Sequence, residues 1–181
     1  LSRRPHRRLP QHVCAIRCVS GRRLAASFIL ACLVGIPLGF VMALNRLIFD
    51  MIDPLIELLR PISGIAWIPI GLLIFGVGDA LPTAIMFYGA FFPIVINTIV
   101  SVRSVDRNYQ NAAMTLGARR LTILRHVTLP AALPGILVGA RLGAGAGWMS
   151  MVAAELIGAP SGLGFAVEWY RESFARFGPS L

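Results

Sequence analysis

Charge is scarce in this sequence, and lysine is missing altogether. Only 14% of the 181 residues are charged, against roughly 25% in an average soluble domain, which excludes an ordinary water-soluble globule. All seventeen cations are arginine, a composition bias rather than a site. Cysteine is sparse too: Cys14, Cys18 and Cys32 form no pair of pairs with metal-ligand spacing. His6, His12 and His126 are scattered and no HExxH is present, so neither a metal nor a cofactor is expected. No GxxxxGK[ST] loop occurs, so ATP is not hydrolysed by this chain. No nucleophile elbow is visible either. A formal net charge of +9 would ordinarily raise nucleic acid as a partner. No aromatic-basic stripe accompanies it; most arginines flank apolar runs, as they do beside a membrane.

What fills the chain instead is apolar, 56% of it hydrophobic. A helix of about 20 apolar residues crosses the hydrocarbon core. Four runs approach that length, near 24–44, 61–78, 80–102 and 131–155. The expected fold is therefore all-α: a polytopic transmembrane helical bundle of about four spans, with lipid around it. Residues 1–19 are Arg-rich and carry Pro5 and Pro10; they are expected to be a flexible leader, and 20–181 the membrane domain. Pro37, beside Gly35 and Gly39, should kink the first span. Asn45–Arg60 reads as a polar connector with an amphipathic segment over Met51–Leu59. The second run holds Pro61, Gly64, Pro69 and Gly71. It should be broken or irregular, and such backbone survives at membrane depth only against protein or a watery cavity. Gly76–Asp79 is the turn at its far side. The third run is aromatic in its middle (Phe87, Tyr88, Phe91, Phe92); these rings are expected to pack, and Asn97 to make an interhelical hydrogen bond. The fourth run has Gly135, Gly139, Gly143 and Gly147 at spacings of four, a face suited to close helix approach in the bundle or a dimer. Arg141 lies inside that run. A charge there either lines a path for an anionic solute or snorkels and pairs internally; Glu155, which ends the span, is too far along the helix to be its partner. Ser161–Gly164 reads as a turn and Phe165–Phe177 as an amphipathic interfacial helix.

The most polar interval between the apolar blocks is 103–130, with Arg103, Arg107, Arg119, Arg120 and Arg125. Its pattern predicts two short helices. Ser104 or Asp106 can cap the first, and Gly117 can end it in the left-handed conformation. In the second, Ala118, Leu121, Leu124 or Thr122, and Val127 fall near one face. Pro130 is expected to stop that helix.

This interval resembles the cytoplasmic EAA loop of permease subunits in bacterial ABC importers that use a binding protein. Ala112, Ala113, Gly117, Leu129 and Pro130 fit the family pattern, while Asn111 stands where Glu is usual. Val102–Asp106, Pro130–Pro134, Ala153-Ala154-Glu155, Gly35–Gly39 and Leu59–Ile62 are similar to the nitrate, sulfonate and taurine branch, and the resemblance runs from about Ser20 to about Arg171. It implies a non-enzymatic transport subunit of the bacterial inner membrane, multi-pass, that forms the path for a small anionic or sulfonate-like solute. It implies coupling to separate ABC ATPase subunits through Asn111, Ala112, Ala113, Gly117, Leu129 and Pro130. It also implies an extracytoplasmic solute-binding protein and a second permease copy as partners. With that loop in the cytoplasm, Asn45–Arg60 is cytoplasmic too, and Asp79 and Gly158–Leu181 lie outside. The alternatives are a truncated, non-functional permease remnant, which the expected absence of flanking spans favours, and an integral membrane enzyme, for which no convergent acids and bases are seen.

Overall fold

The computed structural model describes residues 9–158, together with Gly164, Val167 and Arg171. The first eight residues and, apart from those three positions, the turn at Ser161–Gly164 and the helix expected over Phe165–Phe177 lie outside the described residues. Among the described residues all regular structure is helical. The order is α1 (Leu9–Leu44), α2 (Arg46–Leu59), a 3-10 turn (Gly64–Trp67), α3 (Ile68–Phe75), α4 (Ala80–Arg103), α5 (Arg107–Thr115), α6 (Arg120–Ile123), a π-helical turn (Leu124–Thr128) and α7 (Leu129–Gly158). Three stretches are long and apolar enough to cross a membrane: Ser20–Leu44, Ala80–Arg103 and Leu121–Gly158. A fourth crossing exists if α2 and Gly64–Phe75, bent by 82°, count as one.

The helix α4 is the spine. Its buried residues include Leu81, Met86, Ala90, Ile94, Val95, Thr98 and Val102, and both α1 and α7 pack along it. The sequence permits this because small residues line the facing helices. On α1, Gly35 approaches Ile94 and Gly39 approaches Thr98. On α7, Gly139 faces Pro93 and Asn97, Gly143 faces Ala90, and Gly147 faces Met86. These pairs run in the same direction on α1 and in the opposite direction on α7. So α1 is parallel to α4 and α7 antiparallel. The glycine face of the fourth run is thus an interface within this chain. Where no hydrophobic force separates helix from lipid, such close contact supplies the attraction.

Four features depart from the sequence reading. The first concerns the leader: α1 starts at Leu9, inside it. Pro10 sits in the first turn, where a missing amide breaks no bond. The second concerns Asn45–Arg60, which is not a connector lying at one end. α2 climbs along α4: its Phe49 ring lies 3.7 Å from the Arg103 guanidinium, and its Leu59 carbonyl accepts from the Tyr88 hydroxyl at 2.8 Å. Arg103 and Tyr88 are fifteen residues, roughly 22 Å, apart along α4. The crossing expected at 61–78 therefore begins at Arg46 and is interrupted at 60–63. Tyr88 also reaches the Ile62 carbonyl at 3.4 Å, so the ring expected only to pack also bonds two carbonyls at the break.

The third departure is at Pro130. The chain passes from α6 through the π turn into α7 without stopping. Proline cannot donate and its ring crowds the carbonyl four residues back; a π turn just before it widens the backbone and relieves that crowding. The last is Asn97. Its amide donates within α4 to the Pro93 carbonyl at 2.8 Å, because Gly139 of α7 packs against its Cβ and offers no polar group.

Candidate functional site

At one end of the bundle, α5 and its following turn stand between the last turn of α4 and the start of α6. Asp106 caps α5: its Oδ1 accepts from the Asn108 amide at 2.9 Å. Ser104, the other candidate cap, donates to the Ser101 carbonyl instead. The helix ends at Gly117, whose φ is 80°. The Gly117 amide bonds the Met114 carbonyl at 2.9 Å and the Ala118 amide bonds the Ala113 carbonyl at 3.1 Å. That is the paired closure of a Schellman motif, which needs a left-handed residue at this position. Ala113 and Ala118 are both half-buried beneath it, the apolar contact that accompanies the motif.

The sequence-predicted residues divide accordingly. Asn111 and Ala112 are exposed on α5. Ala113 faces inward, and Gly117 forms the turn. Leu129 and Pro130 open α7 and are exposed. The loop also carries an apolar surface that sequence reasoning left out. Leu116 is 88% exposed, Leu121 75% and Tyr109 65%. Leu121 points outward, while Ile123 and Thr128 are the buried residues of that segment. Exposed leucines on a two-turn helix were not visible in the pattern, because a period of 3.6 identifies a face without saying whether anything covers it.

A cleft of about 720 Å³ opens beside this loop. Arg46, Asp50, Arg103, Asn111 and Met114 are among its walls. Arg103 is held in place twice, over the Phe49 ring and by a 3.4 Å bond to the Met42 carbonyl. The cleft lies between the loop and the ends of α1, α2 and α4, while α5 itself packs on α6 and the π turn.

The two other candidates lie elsewhere. Asn97 is part of the α4–α7 seam. Arg141 is exposed on α7, and among the described residues it makes no hydrogen bond or ion pair. At the opposite end of the bundle a polar cluster joins Ser20, Arg23, Asp79 and Glu155. Sequence reasoning assigned none of these a role, since the contacts span 132 and 135 residues.

Comparison with known proteins gives one family. Residues 35–175 match the family described as binding-protein-dependent transport system inner membrane component. The taurine transport system permease protein of Escherichia coli is 40% identical over 158 residues, covering 87% of this chain and 56% of the relative. The bicarbonate transport system permease protein of Synechococcus elongatus is 36% identical over 154 residues, 84% of this chain and 55% of the relative. The chain therefore spans a little over half the length of these curated relatives. Among solved structures, a chain of the inward-facing MetNI methionine ABC transporter superposes with a TM-score of 0.74 over 94% of this chain and 84% of its own, at 19% identity. That likeness is one of fold.

Proposed function

The chain belongs to the family of binding-protein-dependent transport system inner membrane components, and from that premise we propose that it is the membrane-spanning subunit of an ATP-driven importer. The observation that carries the reading is the loop at 103–130: a short capped helix with exposed apolar residues, packed on α6 and on the π turn that runs into α7. Its partner is a separate ATPase, docked on Tyr109, Leu116 and Leu121 around the Asn111-Ala112-Ala113 turn. Ala112 keeps that surface low, and the Gly117 closure fixes the angle at which it is presented. Closure of the ATPase pair pushes α5, and α6 and the π turn, on which α5 packs, pass the push into α7. Two packings of rigid helices then alternate. The loop faces the cytoplasm of a bacterial inner membrane in this reading.

The solute is a small anion or sulfonate, delivered by an extracytoplasmic binding protein; the named solutes of the relatives, taurine and bicarbonate, support that class. The path lies between this chain and a second copy. Two features support that position. Glu57 is exposed and Asp53 half-buried on α2, at a depth where a charge facing lipid would be costly. The interrupted backbone at 60–63, also exposed, is tolerated at that depth beside water or protein.

The test is co-purification. Leu116→Asp changes a side chain that touches almost nothing in this chain, so the fold should survive and insertion should be normal. The ATPase encoded beside the gene should co-purify with the parent and be lost, by at least about tenfold, from the variant, as when a central interface anchor worth ≥ 2 kcal/mol is removed. Equal recovery of the ATPase with both chains would refute the docking role of the loop.

A further inference from the structure

We propose that Glu155 is a positioning residue: its buried carboxylate ties α1, at Ser20 and Arg23, to the end of α7 remote from the coupling loop. The two helices have little else between them there. Both helices pack along α4, and they touch each other only over a short stretch. At that end Glu155 is 0% exposed. Its Oε1 accepts from the Ser20 hydroxyl at 2.8 Å and from Arg23 Nη1 at 3.3 Å. Its Oε2 accepts from the Gly164 amide at 3.2 Å. Arg23, its side chain 5% exposed, extends to Asp79, which is 64% exposed in the turn before α4. Beside them the Gly78 amide donates to the Gly158 carbonyl at 3.1 Å. Segments at 20–23 and 164 thus meet the Glu155 carboxylate, and 78–79 joins the cluster through Arg23 and Gly158. Ser20 and Arg23 are three apart, so they share a face of α1 and reach the same oxygen.

The physical consequence is specific. A carboxylate removed from water is stable only while its donors remain. Parting α1 from α7 would take from Glu155 both side-chain donors that α1 supplies, Ser20 and Arg23, leaving it the Gly164 amide while Arg23 keeps Asp79; removing the donors of a buried carboxylate is costly. The tie therefore stays closed through a transport cycle, and the opening movement runs along other contacts, such as the exposed faces of α2 and α7. This last clause rests on the transport reading above; the tie itself does not.

The experiment uses the full chain with its ATPase and binding protein in proteoliposomes, with Cys14, Cys18 and Cys32 replaced by alanine. Ser20→Cys and Glu155→Cys are introduced together, and the two thiols are bridged with a short bifunctional thiol reagent. Unbridged, the double variant should lose ATP-driven uptake by about tenfold or more, as expected when a buried pair is removed; bridged, it should recover most of it. ATPase co-purification should not change in either state. A bridge that blocks uptake would show that the two ends must separate, and full uptake without the bridge would show that the tie is dispensable; either overturns the proposal. Thermal unfolding of the chain gives a readout that needs no transport. Arg23→Ala and Glu155→Gln should each lower the midpoint, and the double variant should lower it by less than their sum, the signature of coupled partners. Additive shifts would overturn the tie. Coupled shifts in a chain that carries out no uptake would count against the transport reading and leave the tie standing.

Discussion

Gly139 and Gly145 sit six residues apart on one helix and answer to different physics. A Cβ built on Gly139 would lie 2.5 Å from the Asn97 Cβ and 3.2 Å from the Pro93 carbonyl oxygen. Neither neighbour is the end of a flexible side chain, so α4 and α7 would have to move apart. Gly139→Val should destabilise the chain by about 1–3 kcal/mol, the usual cost of overpacking a tight contact. Gly145 has nothing within 4 Å of the same point. Gly145→Ala should be neutral or stabilising by up to about 1 kcal/mol, because alanine is the better helix former. Thermal unfolding of the two variants in the same detergent compares them directly; equal losses would mean that the seam is not what holds α7. The spacing of these glycines was legible in the sequence, because four-residue repeats report a helix face. Their partner was not, since a small face fits a neighbour within the chain or in a second copy equally well. Glu155 was less legible still: its role depends on Ser20 and Arg23, more than 130 residues away, and no local pattern announces it.

For α2, three stripes share fourteen residues. Ile48, Phe49, Ile52, Ile56 and Leu59 pack on the core formed with Met42, Phe92, Val95 and Ile99. Leu47, Met51, Leu55 and Leu58 are exposed. Arg46, Asp50, Asp53 and Glu57 recur every three or four residues on the remaining third, and Arg60 follows as the C-cap. From the sequence, charges at that frequency read as a connector beside the membrane, because hydropathy averages over all three stripes. The helix climbs α4 nonetheless, since two thirds of its surface is apolar. Its charged third must then meet water or protein. Glu57→Cys should react with a membrane-impermeant thiol reagent in sealed, cysteine-free vesicles, at a rate at least about tenfold above that of Met51→Cys or Leu58→Cys if the apolar stripe is lipid-covered. Equal rates at all three positions would place α2 flat at the surface instead. The segment at 103–130 shows the complementary case. Asp106, Gly117 and the two-helix pattern around them were readable because caps and left-handed turns are local chemistry. The smooth passage through Pro130 was not, because the π turn that permits it leaves no mark in the sequence.

At the scale of the whole molecule, the charge in the middle of α7 has no ion-pair partner among the described residues. Arg141 is roughly 18 Å from the start of the helix at Leu129 and 26 Å from its end at Gly158. A side chain so placed cannot easily reach water at either face of a hydrocarbon layer about 30 Å thick. Around it Leu137, Val138 and Leu142 are exposed, so the face as a whole is apolar and open. An isolated guanidinium on such a face is expensive in lipid and is stabilised by an anionic partner or by water. If the importer carries a small anion, Arg141 is a cation at the right depth to meet it. Arg141→Gln should then raise the KM for uptake by about tenfold, the scale of one lost charge-assisted contact, while ATPase docking at Leu116 and Leu121 is unaffected. Arg141→Lys should recover much of the loss, since it restores the charge but not the planar fork. Uptake measured against solute concentration separates the outcomes. A fall in maximal rate at constant KM, with no rescue by lysine, would assign Arg141 to packing against a second copy; a rise in KM that lysine reverses would assign it to the path.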